Sequence, residues 1–311
     1  MKKGLLILSI LFVLLGSILI YQNITYNDKK LHIVVCDVGQ GDAIFIRTPN
    51  GSDILVDAGP DDKVLSCLAK HMPFWDRDLE LVILTHPHAD HFIGLFSVLK
   101  SYKVKSFATE DLKNKTLGFG ELIQMIKNQA IPTRFVFAGD KFRLKDGIML
   151  EIVGPTQEFL SQTSPGGTIG ESGEFASVLS LIRYGKFSAL LTGDSQALEL
   201  EEAISDPTSP RLRGASKRQA TSSLSVLQIP HHGSKTGLNA EILDFLQPKL
   251  AVISVGARNK YAHPAPFTLG LLKDKNIKFV SFSVDPERDT SGVLSEYITF
   301  YQSENSAVQI K

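Results

Sequence analysis

Seven residues, Thr85-His86-Pro87-His88-Ala89-Asp90-His91, constrain this chain more than any other stretch. They follow the apolar run Leu81-Val82-Ile83-Leu84, which reads as a short buried strand. A helix-like apolar pattern through Phe92, Leu95, Phe96, Val98 and Leu99 comes next. Strand, polar loop and helix thus stand in immediate succession, with four ligand-type side chains on the loop. Imidazole nitrogens and carboxylate oxygens bind divalent metals, and the spacing His-x-His-x-Asp-His offers two adjacent points of convergence. His86 and His88 are expected to face one ion, and Asp90 and His91 a second. A single histidine at a strand end is usually a capping or water-bonded group. Three histidines with an aspartate over so short a stretch point to metal.

The same arrangement recurs along the chain. Strands expected at residues 31–36, 43–47 and 54–56 form a hairpin meander, with Asn50-Gly51 as its turn signal and Asp57-Ala58-Gly59 closing the third strand. Between the first two lies Asp37-Val38-Gly39-Gln40-Gly41-Asp42. It lacks both the Walker pattern and the strand–loop–helix context of a phosphate cradle, so it reads as a turn supporting the metal loop. Further on, a strand at 187–191 leads into Thr192-Gly193-Asp194, a strand at 224–229 into Pro230-His231-His232-Gly233-Ser234, and a strand at 250–255 into a loop that carries His263. Helices are expected at 64–71, 92–101, 117–128, 196–204, 238–246 and 266–274. Six of the eight histidines fall in clusters just after strands, and only His32 and His71 lie elsewhere. Loops at one sheet edge would bring His86, His88, Asp90, His91, Asp194, His231, His232 and His263 together. A carboxylate at Asp194 is suited to bridging two cations about 3.5–4 Å apart.

With 311 residues, 43% of them hydrophobic, the chain can bury a sizeable core. Its formal net charge of zero excludes a global field that would draw it to nucleic acid or acidic membranes. No fixed-period repeat is present, which excludes a solenoid. Cys36 and Cys67 lie among apolar neighbours and read as buried small hydrophobes. The Gly-, Ser-, Thr- and Pro-rich stretch 154–173 reads as a long loop, and 206–218 as a flexible insert whose Arg211, Arg213, Lys217 and Arg218 could steer a phosphate backbone.

Lys2 and Lys3 precede an uncharged apolar run over residues 5–20. That run is a membrane-targeting segment, and signal peptide and uncleaved signal anchor both fit its length. The lysines place everything after Tyr21 outside the cytoplasm, anchored if the segment stays, secreted if it is cleaved. The expected organisation is a signal anchor or signal peptide at 1–21, a linker at 22–30 and one domain carrying the metal-ligand clusters at 31–311.

Thr85 to His91 and Thr192-Gly193-Asp194 resemble the metallo-β-lactamase fold hydrolases. Asp37-Val38-Gly39-Gln40-Gly41-Asp42-Ala43, Leu55-Val56-Asp57-Ala58-Gly59, Pro230-His231-His232-Gly233-Ser234 and Ser254-Val255-Gly256, with Asn259, Tyr261, His263 and Pro264, are more closely similar to the C-terminal domain of the ComEC competence DNA-uptake family. The resemblance implies an α/β fold, an αββα sandwich of two mixed sheets flanked by helices, with the metal centre at one edge. It implies two divalent ions, Zn or Mn, held by His86, His88, Asp90, His91, Asp194 and His231, with Asp90, His232 and His263 in catalysis. The implied activity is a phosphodiesterase or nuclease that attacks DNA, single-stranded DNA included, through a metal-bound hydroxide. A hydrolase of small extracellular molecules such as lactams and a non-catalytic membrane-tethered binding protein are the alternatives. The sequence departs from the family's pattern in three places. No His occurs between His91 and His231, Glu174-Phe175-Ala176-Ser177 stands where the branch often has Asn, and Ile93 replaces a second Gly.

Overall fold

In the computed structural model, which describes residues 2–144, 146–171, 176–205, 224–257, 259–281, 297–302 and 309–310, the apolar runs assemble into two large sheets. The first half of the chain supplies strands β1 (Leu31–Cys36), β2 (Ile44–Arg47), β3 (Asp53–Val56), β4 (Asp78–Leu79), β5 (Leu81–Leu84), β6 (Lys103–Val104), β7 (Phe107–Thr109) and β8 (Thr133–Phe135). The second half supplies β9 (Lys141–Arg143), β10 (Met149–Gly154), β11 (Leu179–Tyr184), β12 (Phe187–Leu191), β13 (Val226–Gln228), β14 (Leu250–Ile253), β15 (Lys278–Ser281), β16 (Tyr297–Gln302) and β17 (Gln309–Ile310). One sheet runs β17-β16-β1-β2-β3-β5-β7-β8 and the other β15-β14-β13-β12-β11-β10-β9, while β4 and β6 pair alone. The β1–β2–β3 meander is antiparallel, with Ile33 opposite Ile46 and Ile46 opposite Ile54.

Strand alternation makes four layers. Ile33 and Val35 of β1, Ile44 and Ile46 of β2 and Ile83 of β5 face the other sheet, where Leu150 and Ile152 of β10, Ala189 and Leu191 of β12 and Val252 of β14 complete one central core. Side chains between them in sequence, Val34, Phe45, Val82 and Leu84, point outward to helices α2 (Lys63–His71), α3 (Ala89–Phe92), α4 (Leu95–Ser101) and α5 (Leu117–Asn128). On the far side, Leu181, Leu190, Leu227, Ala251 and Ile253 pack on helices from the second half of the chain. Those are α7 (Ala197–Ser205), α8 (Ala240–Leu246) and α9 (Pro266–Asp274), which follow α6 (Gln157–Thr163). Strands covered on both faces read as unbroken apolar runs, which is why the alternation is invisible in the sequence.

Three details differ from expectation. Cys36 at the end of β1 and Cys67 on α2 are joined in a disulfide, so they are not two separate buried thiols. Closing that loop contributes about 3–4 kcal/mol by restricting the unfolded chain. The stretch 154–173 is not all loop: Thr156 accepts a hydrogen bond from Phe159 N at 2.9 Å and starts α6. The helix expected at 92–101 is two short helices, and the first carries Asp90 and His91. The basic insert with Arg211, Arg213, Lys217 and Arg218 lies outside the described residues, as do Glu174 and Phe175.

The apolar N-terminal run lies in helix α1 (Lys2–Tyr26), whose most apolar window has a mean hydropathy of 2.7 and none of whose residues is buried. It is long and apolar enough to cross a membrane, at ~1.5 Å per residue. The helix continues past the last apolar residue of that run, Ile20, into the stretch expected as a linker.

Candidate metal centre

Strands β3 and β5 run parallel, as do β12, β13 and β14, so all five end at the same edge of the sandwich. Ligands collect at the carboxyl ends of parallel strands because the chain leaves the sheet there as exposed backbone and side chains. The turn after β5 delivers His86 and His88, and the first turn of α3 adds Asp90 and His91. The turn after β12 delivers Asp194, and the turn after β13 delivers His231 and His232. Two glycines allow the approach. A Cβ on Gly193 (φ +50°) would stand 2.3 Å from Ser177 Oγ, and one on Gly41 (φ +140°) would stand 2.1 Å from the carbonyl of Asp90. The Gly-bearing turn after β1 is therefore wedged beneath the metal loop.

Asp194, 3% exposed, stands at the centre. Its Oδ1 is 3.3 Å from His91 Nε2 and 3.3 Å from His232 Nε2, and the latter nitrogen is 3.6 Å from Asp90 Oδ2. Its Oδ2 is 3.7 Å from His86 Nε2 and 3.8 Å from His231 Nε2, while His86 Nε2 and His88 Nδ1 are 2.9 Å apart. The carboxylate thus divides the cluster in two. Adjacent histidines reach different oxygens because His231 (φ 50°, ψ 46°) and His232 (φ 55°, ψ 24°) both adopt left-handed backbone, which turns their rings 70° apart. Such backbone costs a bulky residue roughly 1–2 kcal/mol, and it persists where the surrounding structure imposes it.

The donor set fits metal. His91 Nε2, His232 Nε2 and Asp194 Oδ1 are buried and make no hydrogen bond. Donors at about 2.0–2.2 Å from a tetrahedral ion stand roughly 3.3–3.6 Å apart, which matches the 3.3, 3.3 and 3.6 Å separations around this point. The opposite nitrogens are already engaged. His91 Nδ1 lies 2.8 Å from Asp57 Oδ2, His232 Nδ1 lies 2.8 Å from the Ser254 carbonyl, and His86 Nδ1 lies 3.1 Å from Thr85 Oγ1. Each of these contacts takes the Nδ1 proton, so that a ring holding an ion would turn its Nε2 lone pair inward. The Thr85 hydroxyl itself donates to Asp57 at 2.7 Å, and Thr85 N donates to the same carboxylate at 2.8 Å.

Electrostatics point the same way. Burial disfavours charge on His232, yet Asp194, Asp42 and the nearby Asp90 carboxylate raise its pKa to about 9. Burial likewise opposes the charge on His91, and Asp194 and Asp57 override it, raising it well above the ordinary value. Asp194 is held well below the carboxylate range, burial notwithstanding, by His232 and His91. Protons on the two imidazoles thus compensate carboxylates that metal cations would otherwise neutralise. His86, His88, His231 and His263 are lowered, burial being the first cause in each, so they are neutral donors at pH 7.

Of the residues expected at the site, His86, His88, Asp90, His91, Asp194, His231 and His232 come together. His263 is further out, with its ring centroid 5.8 Å from that of His231 and 5.8 Å from that of Tyr261. Sequence reasoning missed Gln228, which accepts from Thr192 N at 2.9 Å and donates to Asp42 Oδ2 at 2.7 Å, linking the Asp194 turn to the turn after β1. It also missed the role of Asp42, whose pKa burial raises to about 6 against the pull of His232 and His91. A strand-end acid is a signal for Asp42 and Asp57; nothing in the sequence marks Gln228.

The pattern of the Metallo-beta-lactamase superfamily matches residues 36–257. The chain belongs to that superfamily. As such it is a metal-dependent hydrolase, and the α/β sandwich expected from its motifs is the fold observed. The metallo-β-lactamase chain is 26% identical over 303 residues to ComE operon protein 3 of Bacillus subtilis (strain 168), covering 83% of itself and 34% of that protein. It is 30% identical over 232 residues to Recombination protein 2 of Haemophilus influenzae, covering 73% of itself and 24% of that protein. These matches agree with the expected likeness to the ComEC family. The chain spans only about a quarter to a third of these relatives' lengths. The crystal structure of Zn2+-bound PqqB from Methylobacterium extorquens superposes with a TM-score of 0.50 at 12% identity, covering 81% of this chain and 98% of that one. That likeness is one of fold.

Proposed function

We propose that this metallo-β-lactamase hydrolase is a phosphodiesterase or nuclease with two divalent ions, acting on DNA outside the cytoplasm. The observation that carries the reading is the division of the cluster by Asp194. His86, His88, His231 and Asp194 Oδ2 would hold one ion, and Asp90, His91, His232 and Asp194 Oδ1 the other. The mixture of imidazoles and carboxylates suits Zn or Mn. Bound there, the ions would supply water activation and charge neutralisation for an in-line phosphoryl displacement. His231 takes the place of the histidine that the sequence lacks between His91 and His231.

The chain's own groups do the rest. Asp90 has a side chain 30% exposed, while His232 beside it is sealed at 2%, so Asp90 is the group of this pair that meets solvent and substrate. It orients the attacking water and accepts its proton. His263, half-buried beside His231, would donate a hydrogen bond to the leaving oxygen. Thr85 and Asp57 fix the rings of His86 and His91 and hold their protons on the outer nitrogens.

DNA as substrate is supported by the names of the relatives, a recombination protein and a product of the ComE operon. The extracytoplasmic site is supported by Lys2 and Lys3 ahead of the apolar helix and by the Cys36–Cys67 disulfide, since such bonds persist in oxidising compartments. The test is turnover by the full chain in detergent, with Mn2+ and with Zn2+, of single-stranded DNA, a small phosphodiester and a lactam. DNA and phosphodiester cleavage is expected. Lactam hydrolysis alone would select the small-molecule hydrolase, and no turnover of any would select a binding protein.

A further inference from the structure

Beside the centre lies an open cleft of about 450 Å3, bounded by Asp90 on the metal side, Gln40 and Pro60 on one flank, and Asn259, Lys260 and Tyr261 on the other. Tyr261 is 53% exposed. The loop is stapled from within. Asn259 Oδ1 accepts from Tyr261 N at 3.1 Å and His263 N at 3.0 Å, and its Nδ2 donates to the carbonyls of Gly256 at 3.0 Å and His263 at 2.6 Å. The Tyr261 ring is stacked against His263 at 28° on one face. The Lys260 ammonium lies over the Tyr261 ring, 5.1 Å from its centroid, and no carboxylate among the described residues pairs with it.

We propose that Tyr261 and Lys260 form a nucleotide subsite, which rests on the phosphodiesterase reading above. An unpaired base stacks on Tyr261 in place of the Lys260 ammonium, which turns to the adjoining backbone phosphate, and the scissile phosphate is carried toward Asp90. An exposed ring supplies sequence-tolerant stacking, an ammonium supplies phosphate attraction, and their adjacency matches the repeat of a single strand. Substrate is thus single-stranded nucleic acid, and a duplex, whose bases are already stacked, is refused.

The test compares intact single-stranded oligonucleotides with ones carrying an abasic residue beside the scissile bond. For the parent chain, the missing base raises KM by roughly 5- to 150-fold, the range of one base–aromatic stack. Tyr261→Ala raises KM on intact DNA by a similar factor and removes the discrimination, with kcat affected less than KM, and Tyr261→Phe restores both. Lys260→Gln makes the dependence of log binding on log salt shallower by about 0.7. Equal KM for intact and abasic DNA in the parent overturns the subsite while leaving the phosphodiesterase reading intact. Cleavage of no phosphodiester with any divalent metal overturns both. Because the abasic residue alters the substrate, the comparison holds even where Tyr261→Ala fails to fold.

A second observation stands apart from the site. Phe74 and Trp75 are 53% and 47% exposed and pack edge to face at 4.9 Å. Phe74 N donates to Gln22 Oε1 at 3.2 Å, and Tyr26 OH donates to the Lys70 carbonyl at 3.0 Å. This aromatic loop therefore sits against α1 within about two helical turns of Ile20, the end of its apolar run. We infer that Phe74 and Trp75 insert into the lipid headgroup region and orient the catalytic domain on the membrane, as interfacial aromatics do. Trp75 is the sequence's single tryptophan, so the chain reports on itself. In phosphatidylcholine–phosphatidylglycerol vesicles, Trp75 emission is expected to shift to the blue, to be quenched by lipids brominated near the headgroup and to resist aqueous iodide. Resistance to alkaline extraction first shows whether α1 is integrated. An integrated chain whose Trp75 is quenched by iodide and not by brominated lipid overturns the inference. A chain that extracts overturns the anchor and this inference together.

Discussion

Asp194→Asn keeps the shape of the central side chain and removes its charge. In the structure, each Asp194 oxygen faces two imidazole nitrogens at 3.3–3.8 Å. A unit-charge pair at such a distance, with an effective dielectric near 20, is worth roughly 4–5 kcal/mol. An ion loses that attraction and keeps the weaker dipole of the amide oxygen, so each is expected to lose about 3–4 kcal/mol, or roughly 100- to 1,000-fold in affinity. Both sites should weaken, because the two oxygens belong to different sets. Affinity is read by competition with a chelator and stoichiometry by plasma mass spectrometry, with circular dichroism to confirm folding. The metal-free variant gives a second readout, since the His232 value of about 9 should fall once the carboxylate that raises it most is neutral. Parental affinity for both ions would refute the bridging role, and loss of only one ion would make Asp194 a terminal ligand.

Three further outcomes are expected. His231→Ala should deplete the ion held with His86 and His88, and His232→Ala the ion held with Asp90 and His91, as distinguished by the spectra of Co2+-substituted protein; identical spectra would deny the division. Metal binding near pH 7.5 should release about two protons, from His91 and His232, so affinity should rise with pH, and rise less steeply above about 9, where His232 loses its proton in the free protein; titration in buffers of different ionisation enthalpy counts them. Reducing Cys36–Cys67 should cost about 3–4 kcal/mol, seen as a lower urea midpoint.

Much of this was legible in the chain because the metal chemistry sits at strand ends. Leu81 to Leu84 and Phe187 to Leu191 are largely buried on both faces, so their boundaries, where polarity returns, mark the turns that carry His86 and Asp194. Three things were not legible. Cys36 and Cys67 are 31 residues apart, and only the packing of α2 on the first sheet brings them together. The pairing of His231 with one oxygen of Asp194 and His232 with the other follows from two left-handed backbone angles, which residue type alone does not announce. Helix α6 was hidden by its polar composition, its start set by the Thr156 cap and its fixing by Phe159 and Leu160, which are buried.

The division of the cluster by Asp194 is tested most directly by crystals of the protein equilibrated with Mn2+ and measured at the manganese edge. Two anomalous peaks about 3.5–4 Å apart are expected, one on each oxygen of Asp194, the first beside His86, His88 and His231 and the second beside Asp90, His91 and His232. A single peak, or two peaks of which one does not touch Asp194, would contradict it.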